Sequence, residues 1–241
     1  MPQTYSGFIR LILAALVTGC GATGQVELAL PASAIGRAPK TVAVGAYEVT
    51  LEVASIGFGP LYFCATAAAS SALCPVAQAE FAATALVDGL DAAPQSLGLL
   101  RGVTGAIRSC TFDFGLTWLA VEQQPTSHVE GLDGHSAHFE GRYGLGGGPV
   151  RRFVADVDVR PQLPGTHAVQ GARTTVDVAD ERQRLAITFD PTSWWATVDF
   201  SEFDSWSGDP LVVPAESRAH SAVVLAMTAT HQPSFGWSSE P

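Results

Sequence analysis

Lysine is nearly missing from this chain. Lys40 is the only one among 13 basic residues, against 23 acidic ones, and the formal charge is −10. A chain of that sign repels phosphate backbones, and Arg151–Arg152 is its only adjacent basic pair, so general nucleic-acid binding is excluded as a reading. Methionine is almost as scarce, with two in the chain, which argues against a methionine-rich copper(I) carrier. There are four cysteines and no C-x-x-C spacing, so a thiol oxidoreductase is not expected. No apolar run reaches the ~20 residues that a membrane-spanning helix needs. The zinc spacing H-E-x-x-H, the calcium loop and the elbow G-x-S-x-G are all missing.

What is present is a globular composition: 241 residues, 47% hydrophobic and 15% charged. A chain of this size can bury about 70% of its unfolded surface, so it folds without metal or disulfide. Its start is distinctive. Arg10 precedes the apolar run Leu11–Val17, which ends at "VTGC", Val17 to Cys20. A short apolar core between a positive charge and small residues is a signal-peptide pattern. The four residues resemble the lipobox of bacterial lipoproteins: an aliphatic residue, two small ones, then cysteine. The resemblance covers residues 1–21 only. It implies a signal peptide over 1–19, cleavage before Cys20, diacylglycerol on the Cys20 thiol and acylation of the new amino group. Several acyl chains make a stable anchor where one does not. The partner implied is the membrane. Gly21 stands where an aspartate would signal inner-membrane retention, so the outer membrane is the expected address.

Residues 20–41 hold Pro31 and Pro39 and lack a clean period, which reads as a lipidated cysteine and a tether; Val26–Leu30 is an alternative edge strand. From residue 42 to 241 the pattern is that of one mainly β domain. "YEVTLEV", Tyr47–Val53, alternates without a fault, and so does "RFVADVDVR", with Phe153, Ala155, Val157 and Val159 on one face and Asp156 and Asp158 on the other. Further strands are expected over 80–87, 104–110, 112–119, 137–143, 167–178 and 185–189. "YGLGGGPVR" joins two strands as a hairpin loop, not as a phosphate cradle, because a strand rather than a helix follows it. Asp190 as N-cap with Pro191 behind it predicts a short helix. The segment from Pro214 suits a helix or a strand. The fold class predicted is an antiparallel β-sandwich or barrel with one or two short helices.

Several groups could carry chemistry. In an oxidising compartment Cys64 and Cys74, which bracket a short serine-containing loop, are the expected disulfide, leaving Cys110 as a lone buried thiol. "SHVEGLDGHSAHFEGR" is the densest polar stretch. His138 and Glu140 share a strand face and His135 lies in the preceding turn, so His135, His138 and Glu140 form a candidate set for Zn²⁺ or Cu²⁺. The bland alternative is a solvated loop leading into a strand. Ser136 with a histidine and an acid could form a triad only by distant folding. Asp199, Glu202 and Asp204 could include a glycosidase carboxylate pair, or a solvated acidic loop. The tryptophans Trp194, Trp195, Trp206 and Trp237 read as core, with adjacent Trp194 and Trp195 unable to face the same way and one exposed ring serving a binding surface.

Since no catalytic pattern is complete, the leading expectation is a lipid-anchored envelope protein acting as a binding or structural module, with a protein or glycan partner. A periplasm-facing metal-binding lipoprotein is the alternative. A hydrolase whose site assembles only in three dimensions is the second.

Overall fold

The computed structural model describes residues 24–68 and 76–239. The signal segment, Cys20 and Cys74 lie outside the described residues. The chain folds as β1 (Glu27–Ile35), β2 (Val42–Val44), β3 (Tyr47–Phe58), β4 (Leu61–Cys64) and β5 (Ala79–Phe81). Then follow β6 (Ala85–Asp88), β7 (Gln95–Val103), β8 (Gly105–Phe112), β9 (Leu116–Thr117) and β10 (Thr126–Ser127). The second half holds β11 (Ala137–Leu145), β12 (Arg151–Val157), β13 (Val169–Val178), β14 (Gln183–Thr188), α1 (Pro191–Trp195), β15 (Leu211–Val212), α2 (Arg218–Leu225) and β16 (Ser234–Ser239). The expected class, mainly β and sandwich- or barrel-like with few helices, is the class observed.

Eight strands form one sheet in the order β13-β8-β4-β5-β7-β1-β14-β16, and β15-β12-β11-β3-β2 form another, with β6 on β3. Pairing is antiparallel except for β1–β14 and β12–β15, which are parallel. The large sheet curls until its edges approach: Trp237 Nε1 on β16 donates to Thr174 Oγ1 on β13 at 3.0 Å. The chain passes from the small sheet to the large one between β3 and β4, at Gly59-Pro60. Gly59 has φ +100°, and a Cβ there would sit 2.4 Å from the Ala83 carbonyl oxygen, so only glycine makes this crossing.

One core fills the space between the sheets. Phe58, at the end of β3, packs against Phe112, Phe114 and Phe189 with ring centroids 5.2–6.4 Å apart. Offset and edge-on contacts of this kind suit the ring quadrupole.

Three expectations are corrected. The segment read as a tether supplies β1, which is no edge strand but lies between β7 and β14; Leu28, Leu30, Ala32 and Ala34 are buried. Trp194 and Trp195 are core, as expected, and both are fully buried because α1 is a single turn enclosed on both sides: Trp194 meets Phe114 and Phe139, Trp195 meets Phe139 and Phe153. The strand expected over 112–119 is broken at Asp113, whose side chain is turned to another use. Asp190 precedes α1 but makes no side-chain cap. Cys64 ends β4 and is buried, and Cys110 is a free, buried thiol whose pKa burial pushes up.

Candidate functional site

β11 and β12 are antiparallel neighbours, with His138 opposite Asp156 and Phe139 opposite Ala155. Phe139, Ala155 and Val157 are buried, so the alternate positions project to solvent from the other face of the small sheet. His135 reaches that face from a tight turn. Its amide donates to the Leu132 carbonyl at 2.8 Å, and the buried Leu132 side chain pins the loop.

The result is a row of imidazoles each held by a carboxylate. His135 Nδ1 donates to Asp158 Oδ1 at 2.8 Å. His138 Nδ1 donates to Asp156 Oδ1 at 2.7 Å, and its Nε2 lies 3.2 Å from Glu140 Oε1. Arg160 Nη2 closes the far side of Asp158 at 2.6 Å. Partial burial on its own would lower the His138 pKa, but the bonds to Asp156 and Glu140 and their charges outweigh it, and the net shift is upward. Burial pushes Asp158 up, but the hydrogen bonds from His135 and Arg160 prevail and hold it below the usual carboxylate range. His220, on α2, feels Asp158, Glu216 and His135, and burial holds its pKa down. The row continues along β11 to Arg142, paired with Glu52 at 2.7 Å. Beyond it opens a cleft of about 510 Å³ between Glu48, Thr50, Arg142 and the glycines of the β11–β12 hairpin.

Sequence periodicity placed His138 and Glu140 together, and they are. His135 is on the same surface but is bound to a different carboxylate. Among the described residues no three His, Cys, Asp or Glu side chains converge as one metal-holding group. The fit to a metal is therefore that of a pair: a ring oriented through Nδ1 by Asp156, as metal-ligating histidines are, with Glu140 beside its other nitrogen.

The other candidates have structural employment. Ser136 is fully buried, and its Oγ accepts from the Val159 amide at 2.9 Å. Asp199 caps the 3-10 turn Phe200–Phe203 through the Ser201 amide. Glu202 accepts from the Arg218 and Ala219 amides at the start of α2, both at 3.2 Å. Asp204 accepts from the Tyr47 hydroxyl, and that bond, with burial behind it, pushes the phenol up to about 12.

One constellation escaped the sequence reading. Asp113, 1% exposed at its side chain, accepts from His167 Nδ1 at 2.8 Å and from the Ala168 amide at 2.6 Å. His167 packs against Tyr62 with ring centroids 4.9 Å apart and the planes tilted by 34°. Burial raises the Asp113 pKa, and His167 counters it. The two residues are 54 positions apart, and no local spacing could have joined them. The pair ties the segment leading into β13 to the end of β8.

No protein-family model matches the chain, and no curated protein matches it. Among solved structures, MbnP from Methylosinus trichosporium is similar over 84% of this chain and 88% of its own, with 16% identity and a TM-score of 0.42. A likeness that distant assigns no residue a role.

Proposed function

We propose that this chain is a lipid-anchored bacterial envelope protein whose β domain is a binding module, with the His135–His138–Glu140 face and its adjoining cleft as the binding surface. The observation that carries the binding surface is the row itself. Polar side chains on an open strand face ordinarily wander, whereas here each ring is fixed by a carboxylate and so is preorganised for a partner. The lipobox resemblance carries the anchor and the outer-membrane address. The Cys64–Cys74 disulfide belongs to the same reading, since an exported domain matures in an oxidising space.

The export reading has two readouts. Cys20→Ala is expected to abolish acyl labelling and to move the protein out of the membrane fraction; a variant that stays lipid-bound would falsify the anchor. Non-reducing peptide mapping is expected to join Cys64 to Cys74, and a Cys64–Cys110 peptide would overturn that pairing.

A second reading is favoured by one observation, the alignment Asp156–His138–Glu140. An orienting acid, a neutral imidazole and an adjacent carboxylate suit Zn²⁺ or Cu²⁺. The ion would be held by the pair His138 and Glu140, while His135 stays on Asp158. The tag-free soluble domain, equilibrated with either ion, is expected to retain near-stoichiometric metal that His138→Ala loses. Metal-free protein after desalting sinks this reading and leaves a protein or glycan as the partner.

A further inference from the structure

All eight strands of the large sheet begin or end at one rim. β1, β5, β8 and β14 start there, and β4, β7, β13 and β16 finish there, as the pairings Glu27 with Val103, Ala79 with Gly102, Val178 with Gly105 and Gln183 with Ser239 require. The chain enters the fold at this rim, through Glu27. Cys20 is only seven residues upstream. Seven residues reach roughly 25 Å at full extension. A domain of roughly 220 residues has a radius of gyration of about 17 Å and is therefore more than about 40 Å across. An anchor at Cys20 is too short to let such a body turn its far side to the bilayer.

The rim has the surface this demands. Val26 is 59% exposed and Val76 83% exposed, both beside the point of attachment, and Ala65, Thr66, Ala67 and Ala68 are exposed next to them. The described parts of the connection from β4 to β5, 65–68 and 76–78, carry no charged residue.

We infer that this rim rests on the lipid headgroups, held there by the short leash from Cys20, which points the β11–β12 hairpin away from the bilayer. Leu145, at that hairpin, pairs with Tyr47 at the opposite end of the path that runs through β3 and β4 to the rim. The inference rests on the lipid-anchor reading and deepens it, by naming which surface meets the membrane.

The test is hydrogen–deuterium exchange on full-length acylated protein in vesicles of phosphatidylethanolamine and phosphatidylglycerol, compared with the Cys20→Ala protein in solution. Intact mass reports acylation first. Exchange is expected to slow by roughly threefold or more in peptides covering Gly24–Leu28 and Ala179–Arg182, and to be unchanged at Gly146–Val150. Inserting about 20 Gly/Ser residues after Ala22 adds roughly 70 Å of reach and should remove that protection while the acyl mass remains. Acylated protein with an unprotected rim, protection at Gly146–Val150 instead, or protection that survives the insertion overturns the inference but leaves the anchor standing. Protein without acyl mass overturns both.

Discussion

At the scale of single residues, the row on the small sheet ties stability to pH through opposing groups. His138 is held above its ordinary pKa by Asp156 and Glu140. The folded state therefore keeps its proton where the unfolded chain has lost it. The stabilisation this gives is fully present below the unfolded value near 6.5 and is lost as pH rises through the folded one. Asp158 works the other way: its contribution is present above its unfolded value of 3.8 and is lost as pH falls through the lowered folded one. His220, pushed down by burial, gains stability on the alkaline side and partly masks His138. The informative quantity is thus a difference. Wild type minus Asp156→Asn is expected to be largest near pH 6 and to shrink toward alkaline pH, while the His138 ring titrates lower in the variant by NMR. An unchanged titration would mean that Asp156 does not hold the ring. The rings and Glu140 were legible because a strand alternates with period two. Asp156 and Asp158 were legible as one face of their own strand. Their union with His138 and His135 was not, because register between strands is set by long-range packing and no local spacing encodes it.

At the scale of elements, the alternating stretches were read correctly and the irregular one was not. β3 and β12 each bury one face, so their periodicity is visible in the letters. β1 also alternates, burying Leu28, Leu30, Ala32 and Ala34. Its pattern was obscured by Pro31, which suggests a linker or an edge strand, and by alanines, which are too small to announce a core position. Its location follows from chain reversals far downstream, at β7 and β14. This difference is measurable. A fragment of residues 42–241 would be the domain if residues 20–41 were a tether. It lacks two leucines whose burial contributes about 1.5–3 kcal/mol each. It also splits the large sheet between two strands and leaves both edges unpaired. Against a total stability of about 5–15 kcal/mol, that loss is decisive. The 42–241 fragment is expected to show no cooperative urea transition and the 24–241 fragment a full one. A well-folded 42–241 fragment would mean that β1 is dispensable.

At the scale of the molecule, the two sheets are expected to unfold as one unit. A single buried cluster runs from Leu28 to Met227 and draws on every long strand. The sheets are also joined directly along the chain, where β3 of the small sheet passes into β4 of the large one at Gly59-Pro60. Phe58 sits at that junction and touches aromatic rings from β8, from the segment after it and from the end of β14. The Asp113–His167 pair adds a polar tie beside the same crossing, where the Gly59 amide donates to the Asp113 carbonyl at 2.9 Å. Removing the Phe58 ring should leave a cavity and cost about 3–5 kcal/mol. If the sheets were separable, Phe58→Ala would split thermal unfolding into two steps. Since they share one core, the variant should melt earlier in one step, with the tryptophan signal from Trp194 and Trp195 and the far-ultraviolet β signal moving together. Two separated transitions would show that the aromatic junction, and not the continuous chain, had been joining the halves.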